Sequence, residues 1–206
     1  MATKFEPDPE FAQTELFDTA SPLPEGFLYE PAFVGREEEA TLVAKIAALP
    51  LEEAQYKEYT AKRRTVSYGS EYDFTRNALE RADSLPAFLL PLREKIAAWA
   101  RVPAEKFVHG LVSEYRPGTQ LGWHRDVPNF ELIAGVSLGG WCRMRLRPYR
   151  RGEPNRRQDV IALELAPRSA YLMRENARWN WQHSIAPTKA LRYSITFRTA
   201  RAARDA

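Results

Sequence analysis

Three residues of this 206-residue chain have the types and the order of a metal site. Residues 122–126 contain His124 and Asp126 as a His-x-Asp motif, and His183 follows 57 residues after Asp126. Two imidazoles and one carboxylate can bind one face of Fe(II) and leave the other positions open for substrate and O₂. His-x-Asp alone is common by chance, but the ordered set is not, in a chain with only three histidines. We predict that His124, Asp126 and His183 are the catalytic metal ligands.

Two arginines follow the second histidine, in the strand-like segment 191–198. Arg192 and Arg198 are six residues apart, so in a strand both side chains project from one face, with Ser194 between them. Guanidinium groups bind carboxylates in fork geometry, which suits an acidic cosubstrate. A zinc hydrolase could also use a His₂-carboxylate set with an open position, but it does not need the two arginines. The third histidine, His109, is assigned no chemistry.

The elements that must position these residues change character near Phe107. Before it, apolar spacing predicts a helix from Arg36 to Pro50 and another over 85–100, with strands and loops over 55–77. After it, the pattern is that of short strands separated by turns. The predicted strands are Val108–Tyr115, Leu132–Leu138, Cys142–Leu146, Val160–Leu165, Ala170–Met173, Trp179–His183 and Arg192–Arg198.

Helices followed by a run of strands predict an α+β fold whose β-sandwich or barrel contains the site. We expect an extended or partly disordered segment at 1–25 and one domain over 26–206. A single cysteine, Cys142, excludes an intramolecular disulfide, and with no secretory signal we expect a monomer in the cytoplasm. The longest apolar stretches are too short to span a bilayer, so no membrane partner is expected.

Charge is distributed unevenly, although the net charge is only +3. Residues 1–100 contain 11 Lys/Arg and 18 Asp/Glu, whereas residues 101–206 contain 19 and 9, so the halves carry −7 and +10. A basic half beside the candidate metal site indicates a polyanionic partner such as nucleic acid. An alternative is that the arginines only keep the surface solvated. The predicted nucleic-acid contacts combine basic and aromatic residues: Arg63, Arg64, Tyr68, Tyr72, Arg150 and Arg151. The tyrosines could instead pack beneath a lid.

From about Leu111 to Thr199 the chain resembles the AlkB family of Fe(II)- and 2-oxoglutarate-dependent dioxygenases. The resemblance is carried by Tyr115-Arg116-Pro117-Gly118 before His124-x-Asp126, by Val136-Ser137-Leu138-Gly139, and by His183-Ser184-Ile185-x-Pro187. Its most specific part is Arg192-Tyr193-Ser194-Ile195-Thr196-Phe197-Arg198. Residues 23–100 match more weakly.

The resemblance implies a double-stranded β-helix (jelly-roll) core over 106–199, with N-terminal helices and a substrate-recognition lid over 26–105. It implies Fe(II), 2-oxoglutarate and O₂ as cofactors. The iron would be bound by His124, Asp126 and His183, and 2-oxoglutarate by Arg192 and Arg198 with a hydrogen bond from Tyr115. Ser194, which lies between the two arginines on the same face, could assist in binding 2-oxoglutarate. The implied reaction is oxidative dealkylation of N-alkylated bases in single-stranded or flipped-base nucleic acid, as in repair of alkylation damage.

The chain departs from the family pattern where substrate is recognised. The best-known member has an acid that reads the base two residues past the His-x-Asp aspartate, and this chain has Pro128. Ser113 and Ser194 also replace asparagines of the bacterial repair enzymes. The same chemistry on a protein, a tRNA modification or a small molecule therefore stays open. So does a catalytically silent nucleic-acid-binding module, although the intact metal triad argues against it.

Overall fold

The computed structural model describes residues 23–56, 59–73, 78–81, 84–152 and 156–201, without the side chains of 54–61 and 70–81. The α-helices of the described residues are α1 (Arg36–Ala47), α2 (Leu90–Ala100) and α3 (Glu175–Trp179). Their short 3-10 turns are Ala87–Leu89, Ala104–Lys106 and Arg157–Asp159. The strands are β1 (Phe27–Glu30), β2 (Glu52–Tyr56), β3 (Tyr59–Asp73), β4 (Ala78–Arg81), β5 (Phe107–Tyr115), β6 (Leu121–His124), β7 (Phe130–Gly139), β8 (Cys142–Pro148), β9 (Ile161–Leu165), β10 (Ala170–Met173), β11 (Trp181–Ile185) and β12 (Arg192–Ala200).

The strands form two antiparallel sheets. Over the described residues, the major sheet has the order β1-β10-β7-β12-β5-β3-β2, with β4 paired to β3. The minor sheet has the order β6-β11-β8-β9. Sequence neighbours are often not sheet neighbours, since β12 lies between β5 and β7. This arrangement confirms the predicted jelly-roll core.

Among the described residues, buried apolar side chains form two cores, one on each face of the major sheet. One packs α1 and α2 against the outer face of the major sheet and includes Ile46, Ile96 and Ile195. The other lies between the sheets and joins Ile133 of β7 to Met144 of β8. Because β12 contributes Ile195 and Phe197 to the helix side, its even-numbered side chains face the minor sheet. The candidate site therefore lies between the two sheets.

The sequence predicted most strands near the site, but it missed β6, which carries His124, and placed the start of β11 wrongly. The predicted strand Trp179–His183 begins only at Trp181, because residues 175–179 form α3. This helix buries Arg178, whose Nη2 donates to the carbonyls of Val127 at 2.7 Å and Phe130 at 2.8 Å. An arginine that is buried by backbone contacts gives no apolar period, so alternation alone could not reveal this helix.

Some predictions fall wholly or partly outside the described residues. Residues 1–22 lie outside, so the predicted extended segment 1–25 is largely untested. The lid, the 26–206 domain boundary, the monomeric state and the cytoplasmic location stay predictions. Among the described residues, no helix is both long enough and apolar enough to cross a membrane.

Candidate active site

The three predicted ligands converge between the sheets. His124 ends β6 and His183 is its register partner on β11, while Asp126 follows β6 by two residues. One potential ligand atom from each residue lies within 4.8 Å of the others. The two imidazole rings have centroids 4.2 Å apart, and His183 Nε2 is 3.6 Å from Asp126 Oδ2. Strand pairing thus brings together residues that are far apart in the sequence.

Arg198 fixes the Asp126 carboxylate. Its Nε and Nη2 donate to Asp126 Oδ1 at 2.8 and 2.7 Å, which leaves Oδ2 on the side of His183. Burial alone would raise the pKa of Asp126, but the charge of Arg198 holds that pKa well below its usual range. Asp126 is therefore an anion over the whole physiological range, as a metal-binding carboxylate must be.

Burial keeps the two imidazoles neutral. It is the main cause that lowers the pKa of His183 to about 3, followed by the neighbouring His124. Burial also lowers the pKa of His124. His124 Nδ1 lies 2.9 Å from the carbonyl of Gly122, a contact that places the proton on Nδ1. The lone pair of Nε2 is then available to a metal, which is the arrangement seen for most metal-binding histidines.

Arg192 is a buried cation at the other end of the same pocket. It is 1% exposed, and the pocket is lined by alternate residues of β12, namely Arg192, Ser194, Thr196 and Arg198. Its Nε donates to Ser137 Oγ at 2.9 Å, and its guanidinium lies 4.9 Å from the centroid of the Tyr115 ring. Its Nη1 is buried without a hydrogen-bond partner among the described residues. A buried donor of this kind needs an acceptor, and a carboxylate would provide one.

The comparison with known families agrees with this geometry. The family model of the 2OG-Fe(II) oxygenase superfamily matches residues 28–198. The chain belongs to that superfamily. The match spans both sheets and includes every residue that lines the pocket between them.

Its relatives within the superfamily are AlkB-type proteins, as the sequence resemblance predicted. The chain is 33% identical over 190 residues to "Alkylated DNA repair protein ALKBH8 homolog" of Arabidopsis thaliana, covering 82% of this chain and 53% of the relative. It is 31% identical over 157 residues to "DNA oxidative demethylase ALKBH2" of Bos taurus, covering 69% and 54%. The chain thus spans about half the length of these curated relatives. The solved structure of OsALKBH1 has the same fold, with a TM-score of 0.64 and 15% sequence identity. The similarity covers 86% of this chain and 98% of that chain.

The cofactors of the superfamily are Fe(II), 2-oxoglutarate and O₂, and the residues present fit them. Two neutral imidazoles and one anionic carboxylate are a donor set that suits Fe(II). The unpartnered buried nitrogen of Arg192 fits a carboxylate of a dicarboxylic acid. Arg198 already donates twice to Asp126, so of the two arginines Arg192 has the greater capacity to bind the cosubstrate.

The structure separates the adjacent residues Arg63 and Arg64, which the sequence grouped together. Arg63 lines the pocket with His124 and Asp126, and its Nε is buried without a hydrogen-bond partner among the described residues. Arg64 points to the other side of β3, where it donates to the carbonyl of Leu51 and to Glu114. Tyr68 is buried in the core beside the helices. Tyr72 belongs to β3, but its side chain lies outside the described residues.

Arg150 and Arg151 lie after β8, away from the pocket between the sheets. Arg150 Nη1 pairs with Asp159 at 2.9 Å, and Arg151 is exposed. Neither residue lines the pocket. Their predicted contact with nucleic acid therefore stays a prediction about a surface outside the metal site.

The sequence missed three residues in or beside the pocket: His109, Ser137 and Tyr171. His109 Nδ1 lies 3.1 Å from Arg198 Nη1 and Ser137 accepts from Arg192, so each holds one of the arginines. Tyr171 lines the pocket, and burial raises its pKa to about 12. The ring of Tyr171 lies so close to Gly135 that a Cβ there would stand 2.4 Å from it. Alternation along the strands was the only available signal for these residues.

Proposed function

We propose that this chain is an Fe(II)- and 2-oxoglutarate-dependent dioxygenase that oxidatively dealkylates N-alkylated bases in DNA or RNA. The observation that carries the proposal is one pocket with a His-Asp-His set at one end and the unpaired nitrogen of Arg192 at the other. The names of the ALKBH2 and ALKBH8 relatives support a nucleic-acid substrate.

The residues divide the work of the site. His124, Asp126 and His183 would bind the iron, and Arg192 would bind a carboxylate of 2-oxoglutarate beside Tyr115 and Ser194. Arg198 keeps Asp126 ionised and turned toward His183. The chemistry that the bound cofactors supply is the conversion of 2-oxoglutarate and O₂ to succinate and CO₂, with one oxygen atom entering the N-alkyl carbon. The hydroxyalkyl group then leaves the base as an aldehyde.

Arg63 is the proposed substrate contact in the pocket. It stands on β3 and lines the pocket together with the ligand residues, and it has a buried nitrogen that no described acceptor satisfies. Burial is the main cause that lowers the pKa of His124, and the charge of Arg63 also lowers it. A phosphate or a base carbonyl oxygen of the substrate would provide the missing acceptor.

The test is formation of succinate from 2-oxoglutarate with a panel of N-methylated single-stranded DNA, RNA, peptide and nucleoside. We expect stimulation by a methylated strand, release of formaldehyde in equal amount, and no turnover with His183→Ala. Stimulation by the peptide or the nucleoside, but not by the strands, would contradict the nucleic-acid substrate and favour a protein or a small molecule instead. Strand binding without any succinate would indicate a silent binding module.

A further inference from the structure

A group of arginines lies on the outer face of the minor sheet, opposite the metal-binding pocket. Along β8 the residues Met144 and Leu146 point into the core, so Arg145 and Arg147 point outward. Together with two residues at the Arg157–Asp159 turn they border a groove of about 520 Å³ that Trp123 and Val160 also line. We call this surface the arginine face; it consists of Arg145, Arg147, Arg156 and Arg157.

The nearby carboxylates are already engaged by other groups. Glu164 of β9 pairs with Arg143. Asp159 accepts from Arg150 Nη1 at 2.9 Å and from the backbone N–H of Arg156 at 3.1 Å. Within the described part of the chain, none of the four residues of the arginine face has a carboxylate within ion-pair distance. Four like charges around one groove repel each other, and an anion would relieve that repulsion.

Two of these side chains are held in place before any ligand arrives. Arg145 Nε donates to Ser184 Oγ at 3.0 Å, and Arg147 Nε donates to Gln182 Oε1 at 2.8 Å. Their guanidinium groups lie 5.1 and 4.2 Å from the ring centroid of Trp123. Both hydrogen bonds use Nε, so the Nη donors are left for a ligand. A fixed guanidinium loses less entropy when it binds, and its fork geometry matches a phosphate.

We propose that the arginine face is a second binding site, which takes the phosphates of a nucleic-acid strand. The inference rests on the proposed function, because it describes how the same class of substrate is held outside the pocket. Arg145 and Arg147 are two residues apart on one strand, about 7 Å, which suits adjoining phosphates. Phosphate contacts give affinity and position but read no sequence, so the face would hold strands with or without alkylated bases.

The experiment measures fluorescence anisotropy of a labelled, unmethylated 12-nucleotide DNA strand with metal-free protein. The variant is Arg156→Glu with Arg157→Glu, two exposed residues whose replacement disturbs no described core contact. The control is Arg36→Glu with Lys45→Glu on α1, also exposed and with the same change of charge. Because no turnover is needed, a negative result leaves the succinate assay of the proposed function unaffected.

We expect the variant to lose affinity on the order of tenfold at about 50 mM salt, and the control to lose little. The slope of log affinity against log salt should fall by about 1.4, since each phosphate contact contributes about 0.7 for a single strand. Arg145→Gln with Arg147→Gln should repeat the loss without reversing charge. Equal losses in variant and control would overturn the proposal, because they would show an effect of net charge alone.

Two competitors separate the sources of negative charge. Excess inorganic phosphate should displace the strand only weakly, because one phosphate cannot engage all four arginines. Tighter binding of a poly-glutamate peptide than of the strand, with loss in the same variant, would overturn the proposal in favour of an acidic protein partner. Salt-independent binding of the strand would also overturn it.

Discussion

Replacing Arg192 should separate cosubstrate binding from stability. A hydrogen bond to a charged group contributes about 1.5–3 kcal/mol. Arg192→Lys keeps the charge but loses one arm of the fork, so we expect 2-oxoglutarate to bind roughly 10- to 150-fold more weakly. Arg192→Met removes both arms. It also removes the hydrogen bond to Ser137, which lowers the free energy of unfolding, and the unpaired buried Nη1, which raises it by a similar amount.

Thermal unfolding with Mn(II) in place of iron measures how strongly 2-oxoglutarate stabilises the wild type and each Arg192 variant. At a concentration of 2-oxoglutarate about 100 times the wild-type Kd, the ligand stabilises the protein by about 2.7 kcal/mol. The same concentration gives Arg192→Lys only about 0.3–1.4 kcal/mol, and Arg192→Met almost none. For a chain of this size the wild-type Tm should rise by roughly 5–10 °C.

Without 2-oxoglutarate, the Tm values of wild type and Arg192→Met should lie within a few degrees of each other. A normal 2-oxoglutarate shift in Arg192→Met would refute the placement of the cosubstrate beside Arg192. A large fall in Tm without ligand would show instead that Arg192 is chiefly a structural residue.

Three further predictions concern the rest of the site. His124→Ala, Asp126→Ala and His183→Ala should each abolish succinate formation and lower bound iron, and near-normal activity in any of them would remove that residue from the ligand set. Arg63→Ala should lower turnover on a methylated strand with little change in Tm. Arg64→Ala, its neighbour on the other face of β3, should lower Tm and leave turnover of the folded protein close to normal; the opposite pattern would reverse their roles. His109 has a pKa of about 3 in the fold, lowered by burial and then by Arg198, against 6.5 in the unfolded chain. Below about pH 6.5 the unfolded state therefore binds a proton that the folded state does not, so acid destabilises the fold as pH falls from 6.5 toward 3. Gln keeps an acceptor for Arg198 but does not titrate, so His109→Gln should lose about 2 kcal/mol less than wild type between about pH 7 and 5 in urea unfolding, and an equal loss would show that His109 is not neutral in the fold.

The residues that the sequence singled out by their chemistry and their spacing are ones that the fold brings together in one pocket. His124, Asp126 and His183 stand out because few other residues could do the same chemistry, and Arg192 and Arg198 because an even spacing in a strand places them on one face. The same reasoning placed β5, β7, β8, β10 and β12 to within a few residues of their bounds.

The remaining features depend on tertiary contacts that have no local signal. Arg63 and Arg64 look alike in the sequence, and only the pairing of β3 with β5 shows that Glu114 receives one of them. The hydrogen bond between His109 and Arg198 cannot be predicted locally, because Arg198 lies on β12, far from His109 in the sequence. The short helix α3 is anchored through Arg178, which donates to the carbonyls of Asp126 and Val127, and its own composition does not reveal these contacts.

The position of β12 has a consequence for how the site comes into being. Arg192, Ser194 and Arg198 all stand on this one strand, and it pairs with β5 on one side and β7 on the other. Both partners precede it in the chain, so β12 must be inserted between strands that are synthesised earlier. Such non-local pairing is slow because loop closure comes before the stabilising contacts. An incompletely folded chain can bring His124 and Asp126 together, but it has neither the cosubstrate anchor nor the arginine that orients Asp126. The proposed oxidative chemistry would thereby be confined to molecules that have finished folding.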